Sequence, residues 1–532
     1  MSLNIIPCKC ILSVEDKKNI NAATMNKPTI QHAVKFLSTN YNIAITADQD
    51  IVKSFERDYS NLPGNAEALC RPENELECSQ ILSYCYNAQI PITIAAGRTN
   101  LNGSATPLGG LVLSMEKMTH PKPQLNIKTK CISSPVGIYL ESMRNAALQQ
   151  SNKKLYFPVD PTSRKEAMVG GAISCNASGF VPGKTGAMRY WTEALDFLTP
   201  DGHKITCKRG QFISKNGVFF LNSLEKTIKW NLPTYPRPSI KNASGPYSDE
   251  NGRIDLIDLL VGSEGIFGLI TQATFRLKEA PDEYLDLFFS LPCENDAIKF
   301  HTYIFDYFNG DLSQITALEY FGYNCQNYMD NKKVLFQSET DVGIYLQIPL
   351  YEQKVEDVAE NWLNILQLSK CGITENNILI LNNPQDWNTF FNARHSIPVN
   401  ALKKTHNLDT WSILTDTIVP PNNFRTFQQE VHELLQNSKI EYLLFGHLGD
   451  CHLHFHFIPK KSQQSKALEI YKNIIKISAD LGGIYSAEHG TGKRKRSDFV
   501  ECFGNNGVQQ VLEAKSNVDP HFLLNRGNII EV

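Results

Sequence analysis

Two short segments near the end of the chain combine residue types that bind metal ions and move protons. The first is Gly446-His447-Leu448-Gly449-Asp450-Cys451-His452-Leu453-His454, which holds three imidazoles within eight residues. The second, Ala487-Glu488-His489-Gly490, adds a carboxylate and a fourth imidazole. Imidazole nitrogens and carboxylate oxygens are ligands for a zinc-like divalent ion. These segments predict a metal site, but such a site fits a hydrolase, a structural zinc protein or a redox enzyme.

Hydrophobic patterns predict the elements around these segments. Residues 442–445 are an apolar run, and the alternation over residues 454–457 is typical of a strand with one lined face. An amphipathic helical pattern runs over residues 468–481 and ends at Gly482-Gly483. We therefore expect strands on both sides of the histidine segment, and Glu488 and His489 just beyond a helix.

Three glycine-rich segments lie earlier in the chain, at residues 97–103, 167–179 and 262–268. Glycine lets backbone N–H groups approach a pyrophosphate closely, whereas side chains would block that approach. No G-x-G-x-x-G or G-x-x-x-x-G-K-[ST] motif occurs in a suitable context, so neither Rossmann nor P-loop binding is indicated. Three such loops in order predict a different nucleotide-binding fold.

In these segments the chain resembles the FAD-linked oxidase superfamily of the vanillyl-alcohol oxidase type, and within it the D-lactate, glycolate and D-2-hydroxyglutarate dehydrogenase branch. The resemblance implies an α+β fold, with a FAD-binding domain of two α+β subdomains and an α+β cap domain built on an antiparallel sheet. It covers residues 91–277, Arg394, 446–454, 483–490 and 519–529. The expected divisions are a polar leader over 1–28, the FAD-binding domain over 29–280, the cap over 281–482, and a C-terminal segment over 483–532 that returns to the FAD-binding domain.

The resemblance also implies which residues contact the cofactor. The first pyrophosphate loop comprises Gly97, Arg98, Thr99, Asn100, Leu101 and Gly103. The second loop, beside the flavin ring and ribityl chain, comprises Pro161, Gly170, Gly171, Ser174, Asn176, Gly179 and Gly186. The adenosine-side turn and strand comprise Glu264, Gly265 and Ile270, and the end of the chain contributes Asn525. No histidine or cysteine in these loops is a good candidate for a covalent flavin link, so noncovalent FAD is expected.

The family pattern G-H-x-G-D-G-N-x-H, followed by E-H-G, places the metal ligands on His447, His454 and Glu488. Two imidazoles and a carboxylate leave positions open for substrate, and zinc or manganese is the expected ion. The resemblance implies that a 2-hydroxy acid chelates the ion through its hydroxyl and one carboxylate oxygen, that hydride passes from C2 to flavin N5, and that His489 accepts the hydroxyl proton. Arg394 is implied as the clamp of the substrate carboxylate through paired hydrogen bonds.

The chain departs from the family pattern at five positions. Arg98 and Cys451 stand where glycine is usual, His452 where asparagine, Arg526 where proline and Asn528 where lysine. At His452 the change could perturb the metal site, add a ligand or have no visible effect. These departures leave open a flavin-retaining protein without turnover that serves as a binding or interaction partner. A metal hydrolase without flavin is a third interpretation, and the glycine loops argue against it.

The favoured function is oxidation of a D-2-hydroxy acid, D-lactate first, to the 2-oxo acid. The chain contains no C-x-x-C-x-x-C run that would hold an iron–sulfur cluster, so any cluster belongs to a partner. The sequence does not distinguish among four acceptors that could reoxidise the flavin: a quinone, cytochrome c, an electron-transfer flavoprotein and an iron–sulfur partner. A homodimer is also left open.

Composition limits the remaining classes. A chain of 532 residues with 42% hydrophobic and 20% charged residues is typical of a soluble protein of two or three domains. The net charge of -3 provides no basic field for nucleic acid. Thirteen cysteines without paired spacings favour reduced thiols and a cytoplasmic location, with peripheral membrane association left open. We expect the basic run at residues 493–496 to be a solvated charge run.

Overall fold

The computed structural model describes residues 2–4, 29–222 and 227–532. Most of the predicted leader over residues 1–28 lies outside this range; within it, Ser2–Asn4 forms a strand that pairs in parallel with Val218–Asn222. Helices and strands alternate through the described chain, which confirms the α+β class. The α-helices are Ile30–Tyr41, Gln49–Val52, Glu75–Ala88, Leu140–Gln150, Val169–Ser174, Met188–Trp191, Leu256–Leu260, Glu294–Tyr307, Val355–Leu368, Pro384–Asn407, Phe424–Ser438, Gln464–Asp480 and Arg496–Val518.

The first sheet positions the first glycine loop. Its strands, in spatial order, are Ile45–Thr46, Ala68–Cys70, Leu111–Ser114 and Ile92–Ala95. The last two pair in parallel, and the connection between parallel strands must cross from one end of the sheet to the other. Residues 96–110 make this crossover, so the first glycine loop begins at the carboxyl end of a buried strand. That end of an α/β sheet is where ligands commonly bind.

A second, antiparallel sheet carries the other two glycine loops at its edge. Its strands, in spatial order, are Lys204–Lys208, Thr192–Leu198, Leu269–Arg276, Cys131–Pro135 and Gln124–Asn126. The short helix Val169–Ser174 packs on this sheet, and its residue Ile173 accepts the backbone N–H of Gly262 at 3.0 Å. The second and third glycine loops are therefore joined through their backbones. Smaller pairings join Val218–Asn222 with Thr227–Asn231, and Leu155–Tyr156 with Lys278–Glu279.

A third sheet, called the cap sheet below, is antiparallel throughout the described residues. In spatial order it comprises Ile378–Ile380, Glu283–Leu291, Val342–Leu350, Ala317–Phe321, Glu441–His447, His452–Ile458 and Ile413–Leu414. Four helices pack on one face with an apolar core, and Pro384–Asn407 packs on the other. On that second face Tyr345, Glu319, His447 and His452 form a row across neighbouring strands.

The end of the chain returns to the first sheet. Leu524 bridges Ile92, and the backbone N–H of Asn525 donates to the Ile92 carbonyl at 2.8 Å. After the helix Gln464–Asp480, Ile484 forms a β-bridge with Ile418. This bridge places residues 484–492 between the cap sheet and the glycine loops. Among the helices of the described chain, none has the length and apolar composition needed to span a bilayer.

Candidate active site

The predicted metal ligands lie together. The Glu488 carboxylate lies 3.5 Å from His447 Nε2 and 3.6 Å from His454 Nε2. His447 and His454 face the same side because the two strands that carry them pair antiparallel, with Phe445 opposite His454 and Gly446 opposite Leu453. Ligands about 2.1 Å from a tetrahedral ion lie about 3.4 Å from one another. The two carboxylate–imidazole distances therefore fit a divalent cation, and all three ligand atoms lie within 4.8 Å of one another.

The Nδ1 atoms of both histidines make hydrogen bonds on the side away from Glu488. His447 Nδ1 lies 2.6 Å from Glu319 Oε1, and His454 Nδ1 lies 2.9 Å from the Thr415 carbonyl. Metal-binding histidines usually donate their second N–H to a carboxylate or a carbonyl, which fixes the tautomer and the ring orientation. Each imidazole therefore presents Nε2 to Glu488, as a metal ligand requires.

Electrostatics favours a cation at this point. Burial opposes protonation of His447, but the Glu319 and Glu488 carboxylates outweigh it and raise the pKa of His447 to about 10. Burial likewise opposes ionisation of Glu488, yet His447 and its neighbours hold the pKa of Glu488 well below its usual range. A divalent ion would replace the proton that this pair holds.

Asp416 organises the loop that carries Glu488 and His489. Its side chain is fully buried and accepts hydrogen bonds from the Ser486 hydroxyl at 2.7 Å and from Lys495 Nζ at 2.7 Å. It also accepts the backbone N–H groups of Glu488 at 3.2 Å and His489 at 3.0 Å. Although burial raises the pKa of a carboxyl, His489 and Lys495 hold that of Asp416 well below its usual range. The sequence analysis assigned no role to Asp416.

The His489 ring lies between two carboxylates. Its Nδ1 is 3.6 Å from Asp416 Oδ2, its Nε2 is 3.5 Å from Glu488 Oε1, and the ring stacks on His454 at 5.6 Å between centroids. Burial lowers the pKa of His489 below its usual value, despite the attraction of Asp416. The neutral imidazole that results at neutral pH can accept a proton.

Arg394 lies next to the same cluster through Glu319. Arg394 Nη2 donates to Glu319 Oε2 at 3.0 Å, while the guanidinium lies 4.6 Å from the centre of the Phe180 ring. No other hydrogen bond of this guanidinium is made within the described residues, so its remaining N–H groups are available to a ligand. Glu319, 2% exposed, thus joins a predicted metal ligand to a predicted substrate anchor. Sequence reasoning missed Glu319; the only signal was one carboxylate inside the apolar run Ala317–Phe321.

The basic run at residues 493–496 is not the solvated charge run that the sequence suggested. Lys495 is 4% exposed and pairs with Asp416. Lys493 Nζ donates to the Gly103 carbonyl and to Asn528, and Arg494 donates to the Ser60 carbonyl. The prediction was wrong for Lys495, which is buried, and for Lys493, which is half-buried and joins the active-site loop to the first glycine loop; Arg494 is exposed as expected.

The first glycine loop offers free donors. None of the backbone N–H groups of residues 97–101 donates to another group in the described part of the chain. Five consecutive half-buried N–H groups without a protein acceptor form an anion-binding surface of the kind that a pyrophosphate needs. Arg98 has φ +56°, a conformation that favours glycine, and its side chain donates to the carbonyls of Ser54 and Arg57. Any Arg98 contact with a cofactor in this loop would therefore be made by its backbone.

The three glycine loops and the end of the chain form one connected wall. Asn525 accepts the N–H of Ile94 and donates to the Glu264 carbonyl, and the Glu264 carboxylate accepts the N–H groups of Thr491 and Gly492. In the second loop, Ser174 accepts the N–H of Glu264 at 2.8 Å. The remaining predicted cofactor residues lie in the same loops or at their edges: Thr99, Asn100, Leu101, Gly103, Pro161, Gly170, Gly171, Asn176, Gly179, Gly186, Gly265 and Ile270.

A buried ion pair joins this wall to the histidine segment. Lys241 pairs with Asp450, and Asp450 Oδ1 also accepts the backbone N–H of Gly183 at 2.6 Å. Both side chains are at most 5% exposed. Asp450 therefore fixes the cap sheet against the second glycine loop, a contact that sequence reasoning did not find.

Replacement of Gly97 by alanine should yield a protein that loses FAD. An added Cβ would lie 2.3 Å from the Glu166 carbonyl and 3.1 Å from the Met168 N–H nitrogen, so the first loop must move off the second. Flavin retained per protein chain after gel filtration measures the effect, and we expect a largely colourless variant. Gly210→Ala is the control for a strained glycine outside these loops: its φ of +78° disfavours alanine, but its Cβ would meet nothing within 4 Å, so the variant should keep its flavin. Full flavin retention by Gly97→Ala would show that the loop does not bind the cofactor.

Comparison with known proteins identifies two matching families and several similar proteins. Residues 66–208 match the family described as "FAD binding domain", and residues 312–529 match "FAD linked oxidases, C-terminal domain". A D-lactate dehydrogenase of Archaeoglobus fulgidus is 26% identical over 86% of this chain and 90% of its own. A D-2-hydroxyglutarate dehydrogenase of Xanthomonas citri pv. viticola is 24% identical over 88% of this chain and 90% of its own.

Among solved structures, 4-ethylphenol oxidase from Gulosibacter chungangensis has a similar fold, with a TM-score of 0.64 at 14% identity over 94% of this chain and 97% of that one. The chain belongs to the FAD-linked oxidases, in the branch of the D-lactate, glycolate and D-2-hydroxyglutarate dehydrogenases, and its fold is of the vanillyl-alcohol oxidase type. It is an FAD-dependent oxidoreductase.

Proposed function

We propose that this protein oxidises a D-2-hydroxy acid, with D-lactate the first choice, to the 2-oxo acid. The observation that carries the proposal is the position of Glu488. Its carboxylate lies within 3.6 Å of ring nitrogens of His447, His454 and His489. A candidate ligand set and a candidate base therefore meet at one point beside the wall of glycine loops.

When bound, FAD supplies a two-electron acceptor and a divalent cation on His447, His454 and Glu488 supplies a Lewis acid. The chain's own residues then have distinct tasks. Arg394 binds the substrate carboxylate with the N–H groups that Glu319 leaves free. His489 takes the hydroxyl proton on Nε2, because Asp416, the anion nearest Nδ1, favours a proton on Nδ1. Four acceptors of the electrons remain compatible with the proposal: a quinone, cytochrome c, an electron-transfer flavoprotein and an iron–sulfur partner.

Anaerobic bleaching of the flavin tests this function directly. The purified yellow protein is mixed without oxygen with D-lactate, L-lactate, glycolate or D-2-hydroxyglutarate, before and after treatment with a chelator. We expect bleaching by D-lactate, slower after chelation and restored by added Mn²⁺. A protein that stays yellow with every compound would be a flavin-binding protein without turnover. Equal rates before and after verified metal removal would exclude the cation from the reaction.

Replacement of Arg394 by methionine should weaken substrate binding more than it slows the chemical step. A hydrogen bond to a charged group contributes about 1.5–3 kcal/mol, so we expect KM for D-lactate to rise about 10- to 150-fold. Steady-state kinetics with an artificial acceptor separates KM from kcat. Lys404→Met on the same helix is the control, because its ion pair with Glu441 is exposed at the surface and contributes little. An unchanged KM in Arg394→Met would remove Arg394 from the substrate site.

A further inference from the structure

His452 lies inside the ligand cluster although asparagine is usual at its position in the family pattern. The side chain is fully buried, and its ring centroid lies 4.4 Å from that of His454 and 5.4 Å from that of His447. Ligand atoms of His447, His452, His454 and Glu488 all lie within 4.8 Å of one another. A third imidazole therefore borders the point where the cation is expected.

The ring nitrogens of His452 lack a satisfactory partner in the described chain. Neither makes a well-aligned hydrogen bond, although Nε2 lies 3.2 Å from Asp416 Oδ1. Asp416 already accepts hydrogen bonds from Ser486, Lys495 and two backbone N–H groups. A buried polar side chain without a hydrogen bond calls for a ligand that supplies the missing interaction. A cation bound between His447, His454 and Glu488 would be that ligand.

We propose that His452 is a fourth protein ligand, so that three imidazoles and one carboxylate hold the cation. The inference rests on the proposed function for the presence of a cation and narrows the kind of ion. Zinc in proteins is nearly always four-coordinate, so four protein ligands would close a zinc site. A 2-hydroxy acid that chelates through its hydroxyl and carboxylate needs two further positions. The site therefore selects a six-coordinate ion that accepts imidazole and carboxylate, of the Mn²⁺ or Fe²⁺ type, over Zn²⁺.

The test compares His452→Asn, which introduces the family's usual residue, with His456→Asn. His456 is the matched control because it is also buried on the strand His452–Ile458 and also lacks partners for both ring nitrogens, yet lies outside the cluster. Each protein is stripped with a chelator, checked for flavin content and unfolding temperature, and reloaded with Mn²⁺. Competition with a chelating dye gives the dissociation constant, and pulsed electron paramagnetic resonance counts the bound imidazoles.

We expect three imidazoles on Mn²⁺ in the unmodified protein, two in His452→Asn with at least about 10-fold weaker binding, and no change in His456→Asn. Because the imidazole count of the unmodified protein needs no substitution, misfolding of a variant cannot obscure it. Two imidazoles in the unmodified protein would overturn the proposal and assign His452 to Asp416. These readouts use no substrate, so a protein that no hydroxy acid bleaches would refute the proposed function and leave the ligand count intact.

Discussion

Replacement of His489 by asparagine is expected to leave the protein yellow while flavin bleaching by D-lactate becomes about 10²- to 10⁴-fold slower, the range for loss of a general base. His489 Nε2 lies 3.5 Å from the Glu488 carboxylate, close to where a chelated hydroxyl must sit. Its lowered pKa keeps the ring neutral and able to take the proton. Anaerobic stopped-flow absorbance of the flavin measures the rate.

Two controls separate a lost base from a damaged site. His521→Asn changes an exposed histidine of the same C-terminal region and should bleach at the normal rate. The metal content of His489→Asn should match that of the unmodified protein, because His489 is not among the expected ligands. Bleaching by His489→Asn at a rate within a few-fold of normal would show that another group accepts the proton.

Local pattern predicted the elements with strong hydrophobic signals. The apolar run over residues 442–445 was expected as a strand and lies within the strand Glu441–His447. A helix was expected over residues 468–481, and the structure has Gln464–Asp480. The helix begins earlier than its apolar periodicity because its first turn is polar, and a 3-10 turn over Lys461–Gln463 leads into it. Periodicity therefore locates the buried face of an element better than it locates the ends.

The candidate metal ligands could be named from the resemblance to the family motif, but the groups that hydrogen-bond to them could not. Glu319 reaches His447 across 128 positions in the chain, and Asp416 reaches Ser486 across 70. Only the register of the cap sheet brings Glu319 beside His447, and register depends on pairing between distant strands. A motif identifies the side chains that can bind a cation, whereas strand pairing determines which carboxylate or carbonyl fixes the orientation of each imidazole.

The same reasoning explains why the basic run was misjudged. Lysine is rarely buried unless it is paired, so a run of four cationic residues reads as surface. Here the partner of Lys495 is Asp416, which is distant in sequence, so only the folded arrangement of the cap sheet and the active-site loop brings the pair together. The buried Lys495–Asp416 pair therefore joins the active-site loop to the segment that follows Ile413–Leu414.

Replacement of Asp416 by asparagine should be the most destabilising single change at the site. The substitution leaves Lys495 buried without a full counter-charge, which costs about 3–5 kcal/mol in the free energy of unfolding. It also weakens the hold on the backbone of Glu488 and His489, so bleaching by D-lactate should be lost as well. Urea titration followed by tryptophan fluorescence measures the first effect, and anaerobic flavin absorbance the second.

The double variant Asp416→Asn with Lys495→Met separates these two roles. Removing the stranded ammonium should restore part of the lost stability, because no unpaired charge is then left buried beside position 416. It should not restore bleaching, because the negative charge beside His489 Nδ1 is still absent. Recovery of both properties would mean that Asp416 acts only as the counter-ion of Lys495. Recovery of stability alone assigns to Asp416 the orientation of the base.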